Sequence, residues 1–297
     1  MKNTLLACLL GLACAASGAK VVEEVADVPV TAVDMYGKSV TQPIKVTIFR
    51  DDEAPRAPFL VLSHGRPANP DEFATMGRQR FSENSRYFVT QGFVVLVPTR
   101  IGYGPSRGED VETTGSGARR NYLGGFAAAA DETVGVIAYA RALPYVDADR
   151  GVLVGQSFGG AATMAVAARN EPGIVAAINF AGGGGGNPIT RPGDPWRPDL
   201  LEKTFAAYGQ TAKVPSLWLY SENDKFFGAV HPRRWFEAYQ RGQADASFIA
   251  LPPLPVELGD DGHKSFLRHP EAWRPAVEAF LRRTGFRSEG SERTRGL

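Results

Sequence analysis

Gly155-Gln156-Ser157-Phe158-Gly159-Gly160 follows the apolar run Gly151-Val152-Leu153-Val154 and precedes the alanine-rich stretch Ala161-Ala162-Thr163-Met164-Ala165-Val166-Ala167-Ala168. In order, these residues read as a buried strand, a tight turn and a helix. Residues 155–159 fit the Gly-x-Ser-x-Gly pattern of a nucleophile elbow. The elbow needs its glycines because strand and helix approach closely on either side of a serine held in a strained backbone conformation. The serine hydroxyl then stands above the end of the sheet, with the positive N-terminus of the helix aimed at the site.

Outward from the elbow, apolar runs alternate with amphipathic segments. Residues 28–33 and 44–49 alternate apolar and polar around Met35-Tyr36-Gly37-Lys38, which predicts antiparallel strands at a sheet edge. Phe59-Leu60-Val61-Leu62 is a continuous apolar run, as expected of a strand covered on both faces, residues 92–98 read as the next buried strand, and 174–180, 214–220 and 246–251 read as further strands. Between them, helices are predicted over 71–91 (broken near 82–85), 122–142, 198–209, 231–242 and 270–283. This is an α/β pattern: a doubly wound, mostly parallel sheet with antiparallel N-terminal strands, forming one domain over residues 25–285. In such a sheet, functional side chains are expected just past the C-terminal ends of strands.

A serine hydroxyl needs a base, and the base needs an orienting group. The elbow architecture runs serine, then acid, then histidine. The chain has four histidines. His64 precedes Ser157, so it is read as bracing its loop, and His231 opens a helix too early in the chain. His263 lies in Asp260-Asp261-Gly262-His263, after the last strand and before the last helix; it is the expected base, with His269 as the alternative. Ser221-Glu222-Asn223-Asp224 directly follows a strand, and Asp224 is favoured over Glu222 as the acid. Asp260 and Asp261 are read as capping the loop that carries His263. For the oxyanion, the expected donors are the backbone N–H groups of Phe158, next to the nucleophile, and Arg66, after the 59–62 strand.

Composition narrows the classes. The 297 residues are 43% hydrophobic, with 33 basic and 32 acidic side chains and a net charge of +1, which argues against a nucleic-acid binder. Lys2, the short apolar run 5–12 and Ser17-Gly18-Ala19 predict a cleaved signal peptide over 1–19, hence a periplasmic or secreted protein without stable membrane insertion. Both cysteines, Cys8 and Cys14, fall in that leader, which leaves the mature chain no thiolate metal site or disulfide. Lipidation at Cys14 is the minor alternative. Gly182 to Gly186 is not a phosphate loop, because it lacks the Lys-Ser/Thr that such a loop needs; it reads as a flexible wall near the site. Trp196, Arg191 and Arg197 are candidates either for the pocket, where they could bind an anionic substrate, or for the surface. The Arg100–Gly108 loop reads as structural, held by Arg100. The polar tail 287–297 is expected to be disordered.

With these residues in hand, the chain resembles an α/β-hydrolase, and within that fold the dienelactone-hydrolase-like group; cutinase-type hydrolases share much of the layout. The resemblance rests on Leu62-Ser63-His64-Gly65, the 155–160 elbow, Ser221-Glu222-Asn223-Asp224 and Gly262-His263, and covers about residues 59–266. It implies hydrolysis of an ester, thioester or lactone, on a small-molecule or polymeric substrate, through an acyl-enzyme on Ser157. His263 and Asp224 would complete the triad, with Phe158 and Arg66 as oxyanion donors and no metal or organic cofactor. Dienelactone hydrolases proper use a cysteine where this chain has Ser157. Secreted cutinase-type enzymes usually carry disulfides that this chain cannot form. A serine peptidase of prolyl-oligopeptidase type would use the same triad, but usually with a large propeller domain for which this chain has no room. A non-catalytic binding protein on the same fold would be expected to lose a triad member.

Overall fold

Apolar runs too short for helices and too continuous for exposed strands become the middle of a sheet buried on both faces. A computed structural model of the chain describes residues 19–255 and 261–286. Residues 1–18 of the expected leader, including the lipidation candidate Cys14, Asp260 and the 287–297 tail lie outside the described residues.

The strands are β1 (Val21–Val33), β2 (Ser39–Asp51), β3 (Ala57–Ser63), β4 (Val94–Thr99), β5 (Val146–Gln156), β6 (Ile174–Phe180), β7 (Ser216–Ser221) and β8 (Ala246–Leu251). They form one sheet in the order β1-β2-β4-β3-β5-β6-β7-β8. β1 pairs antiparallel with β2, and β2 antiparallel with β4; the neighbours from β4 through β8 are parallel. The helices are α1 (Ser82–Thr90), α2 (Tyr122–Arg141), α3 (Phe158–Ala167), α4 (Pro198–Gly209), α5 (Val230–Gln240), α6 (Ser265–Arg268) and α7 (Pro270–Arg283).

Two apolar layers sandwich the sheet. Phe59 and Val61 of β3 join the layer that holds Phe126 of α2, Met164 of α3, Phe205 of α4 and Trp235 of α5. Leu60 and Leu62, on the opposite face, join Phe88 of α1 with Trp273, Val277 and Phe280 of α7. The period-2 alternation of a strand thus serves both cores at once, which explains why β3 is written almost entirely in apolar residues. At the edge, β1 buries only alternate residues, Val28, Val30 and Ala32.

Two expectations are corrected. The edge strand begins at Val21, seven residues before the apolar alternation starts at Val28, because its register with β2 runs unbroken from Val21↔Asp51 to Val33↔Ser39. The helix expected over 71–91 is only α1, preceded by a single 3-10 turn at Pro70–Glu72. Phe81 has φ 45°, which breaks any continuous helix there. The preceding segment is tied to the sheet instead: Gln79 N–H donates to Thr99 Oγ1 (2.8 Å), and Thr47 Oγ1–H donates to Gln79 O (2.7 Å). Tertiary hydrogen bonds outcompete helical ones in this segment. Among the described residues no helix is long and apolar enough to cross a membrane.

Candidate active site

Ser157 occupies the single-residue gap between β5 and α3, with φ 58° and ψ −125°. Its own N–H donates to Phe180 O (2.9 Å), which fixes the turn against the neighbouring strand. The close approach around it leaves no space for side chains. A Cβ on Gly155 would lie 2.1 Å from Gly159 O, and one on Gly159 would lie 2.3 Å from Ser63 O and 2.5 Å from His64 O. The two glycines therefore let β5, α3 and the end of β3 converge on Ser157.

Two other strand ends supply the partners. After β7 the chain turns so that Asp224 Oδ1 accepts from Phe226 N–H (2.7 Å) and Phe227 N–H (3.1 Å). Its other oxygen, Oδ2, lies 3.0 Å from His263 Nδ1. After β8, Asp261 caps a 3-10 turn by accepting from His263 N–H (3.0 Å), and Gln156 Nε2 donates to His263 O (3.2 Å). His263 Nε2 then lies 2.9 Å from Ser157 Oγ. Because the Asp224 carboxylate accepts from Nδ1–H, Nε2 is left to accept from the serine hydroxyl. The imidazole is stacked on Phe226 (ring centroids 4.0 Å apart) and meets the edge of Phe227 (5.2 Å). All three side chains are buried.

The competing residues are elsewhere. Glu222 is exposed and lines a separate depression with Tyr220, Arg233 and Phe248. His269 sits at the start of α7 beside Glu271, with Nδ1 3.3 Å from its carboxylate. His231 is on α5, 3.5 Å from Asp194. His64 directly follows β3: Arg100 N–H donates to its Nε2 (3.2 Å), so Nδ1–H donates to Gly65 O (2.6 Å). Burial, reinforced by the Arg100 charge, holds the His64 imidazole well below its ordinary pKa, so it braces the loop in the neutral form.

Above Ser157 opens a cavity of about 370 Å³. Arg66 and Phe158 flank the serine, Gly183–Gly186 form one wall, and Trp196 stands at the mouth. Phe158 is the first residue of α3, so its N–H has no carbonyl partner within the helix. Gly65 lets the other candidate donor segment pass directly over the elbow: a Cβ there would lie 3.0 Å from Ser157 Cβ. The glycine wall, expected to be flexible, is closely packed. A Cβ on Gly185 would fall 2.0 Å from Tyr122 Oη, and one on Gly183 would fall 2.8 Å from the Phe227 ring. Trp196 lines the cavity with about half its surface exposed, and its carbonyl accepts from Tyr122 Oη–H. Burial pushes the Tyr122 phenol up to about 12, so it stays a donor. Arg191 and Arg197 are paired with Asp194 and Asp199, respectively, and are not free cations. Among the described residues, no group of three or more His, Cys, Asp or Glu side chains is arranged to hold a metal ion.

Sequence reasoning missed the floor beneath Arg66. Its guanidinium forks onto Asp110 (2.8 and 2.5 Å) and donates to Tyr103 Oη (2.9 Å). Tyr103 Oη–H in turn donates to the buried Glu112 (2.7 Å), which also pairs with Arg100. The only sequence signal was a glycine-rich loop dense in charge, which does not say which charges meet.

A strained serine at a strand-to-helix turn, an acid and a histidine past later strand ends and an eight-stranded mixed sheet are the parts of one superfamily. The chain belongs to the alpha/beta hydrolase family, whose family model matches residues 60–284. Among solved structures it is similar to a dienelactone hydrolase-like promiscuous phosphotriesterase from metagenomic libraries (17% identity, TM-score 0.57, 89% of this chain and 99% of that one). It is also similar to the Pyrococcus furiosus esterase (14% identity, TM-score 0.53, 88% and 90%). The acylaminoacyl peptidase of Pyrococcus horikoshii matches as well (16% identity, TM-score 0.57), with 88% of this chain covering 41% of the peptidase. At these identities the likeness shows the fold. No curated protein matches the chain.

Proposed function

We propose that this protein is an exported serine hydrolase that cleaves carboxylic esters through an acyl-enzyme on Ser157. The observation that carries the reading is the unbroken relay from Asp224 Oδ2 through His263 to Ser157 Oγ, at 3.0 and 2.9 Å, at the floor of an open cavity. In the forward step His263 Nε2 takes the hydroxyl proton as Oγ attacks the acyl carbon. Asp224 holds the ring orientation and opposes the positive charge that develops on it. The carbonyl oxygen becomes an anion and is met by the N–H groups of Phe158 and Arg66. His263 returns the proton to the leaving alcohol; water then repeats the sequence on the acyl-enzyme. Stacking on Phe226 keeps the imidazole in one plane through both half-reactions. The substrate is a small-molecule or polymeric ester, and the leader-like N-terminus supports action in the periplasm or medium.

The test is a chain-length series of p-nitrophenyl esters, with wild type beside Ser157→Ala. Turnover by wild type with loss of at least a thousandfold in the variant is the expected result. Equal rates for both proteins, or no turnover of any ester by a folded wild type, would overturn the reading; cleavage of acylated peptides instead would move the assignment to a peptidase.

A further inference from the structure

The loop over the elbow is held in place by side chains of the segment that follows β4. β3 ends at Ser63, and the next three residues run over Ser157. The loop that contains residues 100–112 grips them at three points. Arg100 Nη1–H donates to His64 O (2.8 Å), and Arg100 N–H donates to His64 Nε2 (3.2 Å). The third grip is the Arg66 guanidinium, set over the rings of Phe73 (4.2 Å to the ring centre) and Phe158 (5.6 Å) and forked onto Asp110. Asp110 is itself fixed, because its Oδ1 accepts from Glu112 N–H (3.2 Å).

We propose that Asp110 is a positioning residue for ester hydrolysis: by anchoring the Arg66 side chain it holds the backbone N–H of that same residue where the oxyanion forms. The proposal rests on the esterase reading above. Arg66 and Asp110 both line the cavity, so a reader of charges alone would assign them to substrate binding. The geometry points the other way. The planar fork that would clasp a substrate carboxylate is already closed on Asp110, and contact with the Phe73 and Phe158 rings leaves the guanidinium little freedom. The backbone N–H of Arg66 remains the useful donor, and a donor of this kind works only when it is preorganised.

A positioning role and a binding role separate in kinetics. A displaced oxyanion donor weakens the transition state and leaves ground-state binding alone, so kcat falls and KM holds. Complete loss of such a donor lowers kcat by about 10²–10³; a loosened one should lie below that range, so Asp110→Ala is expected to lower kcat by roughly tenfold with KM within about twofold. Arg66→Ala keeps its backbone N–H but loses the anchor and should behave alike. Because Asp110 acts through Arg66, the double variant should be no slower than Arg66→Ala alone. The rate of labelling by a p-nitrophenyl phosphonate, whose tetrahedral oxyanion occupies the same donors, should fall in parallel with kcat.

The experiment is this cycle of four proteins on one short p-nitrophenyl ester and the phosphonate, with thermal melting of each. An Asp110→Ala protein with unchanged kcat, a rise in KM alone, or independent multiplication of the two single effects would overturn the proposal while leaving the esterase reading standing. A wild type that neither cleaves esters nor takes the phosphonate label would remove both.

Discussion

Changing Asp224 to Asn replaces one carboxylate oxygen with an NH₂ group and removes one charge, and its consequence can be worked from the contacts. Asn Oδ1 can still accept from Phe226 N–H and Phe227 N–H, so the turn after β7 should hold. The other end of the side chain now presents an N–H₂ group to His263 Nδ1, 3.0 Å from the present carboxylate oxygen. Nδ1 must then accept, so the ring proton moves to Nε2, and Nε2 can no longer take the proton from Ser157. The imidazolium that forms in the transition state also loses its counter-charge. With charge centres ~4 Å apart at an effective dielectric of about 20, that loss is roughly 4 kcal/mol, or about 10³ in rate. The wrong tautomer adds about another factor of ten, for a fall of about 10⁴ in kcat with KM little changed. The assay is steady-state hydrolysis of a short p-nitrophenyl ester, with thermal melting to show that the fold is intact. A folded Asp224→Asn protein with kcat within tenfold of wild type would refute the relay as described. The exposed Glu222 should tolerate alanine without change in kcat, and a large loss there would refute the choice of acid.

Gly159→Ala should lower the melting temperature by several degrees and cut activity together, since its Cβ would enter the space of Ser63 O and His64 O; a melting curve like that of wild type would contradict the packing. Trp196→Ala should raise KM several-fold for bulky esters and leave short ones nearly unaffected, because the half-exposed ring lines only the mouth; equal effects on both would place it deeper in the site. Stability against pH should depend on two buried groups of opposite sign. His64 is held neutral by burial, so below about 6.5 the unfolded chain binds a proton that the folded chain refuses, and stability falls with acidification by about 1.4 kcal/mol per pH unit. Glu132 is held well above its usual pKa by burial and by the nearby Glu112. Above about 4.5 the folded chain therefore keeps a proton that the unfolded chain releases, and stability falls as pH rises. Urea titrations between pH 5 and 6.5 should therefore show a steeper acid loss in Glu132→Gln than in wild type; parallel slopes would refute the opposition.

What the chain reveals to a reader depends on how far each interaction reaches. Strands β3 to β7 are legible because burial on both faces writes itself as a local run of apolar residues. The elbow is legible because its constraints fall within five neighbouring positions. Ser157, Asp224 and His263 lie far apart in the chain, yet Ser157 and Asp224 directly follow strands and His263 sits on the loop between the last strand and the closing helices. A parallel sheet brings such positions to one edge, so the order of strands stands in for distance. The segment 73–81 is not legible, since its apolar spacing suits a helix while Thr47 and Thr99 claim its backbone groups from other parts of the chain. The Asp110–Arg66 fork is hidden for the same reason. Choosing Asp224 over Glu222 hinges on which way a turn directs two carboxylates only two residues apart, and that is decided by the N–H groups of Phe226 and Phe227.

The backbone of Ser157, with φ 58° and ψ −125°, bears on the history of the chain as well as on its chemistry. A residue with a Cβ in that region carries ~1–3 kcal/mol of strain, and glycine there would carry almost none. Ser157→Gly should therefore yield an inert protein that melts higher than its parent. In a lineage freed from any need for the hydroxyl, drift toward glycine would be favoured by stability alone. A serine at this position runs against that drift, as the nucleophilic role proposed for Ser157 requires.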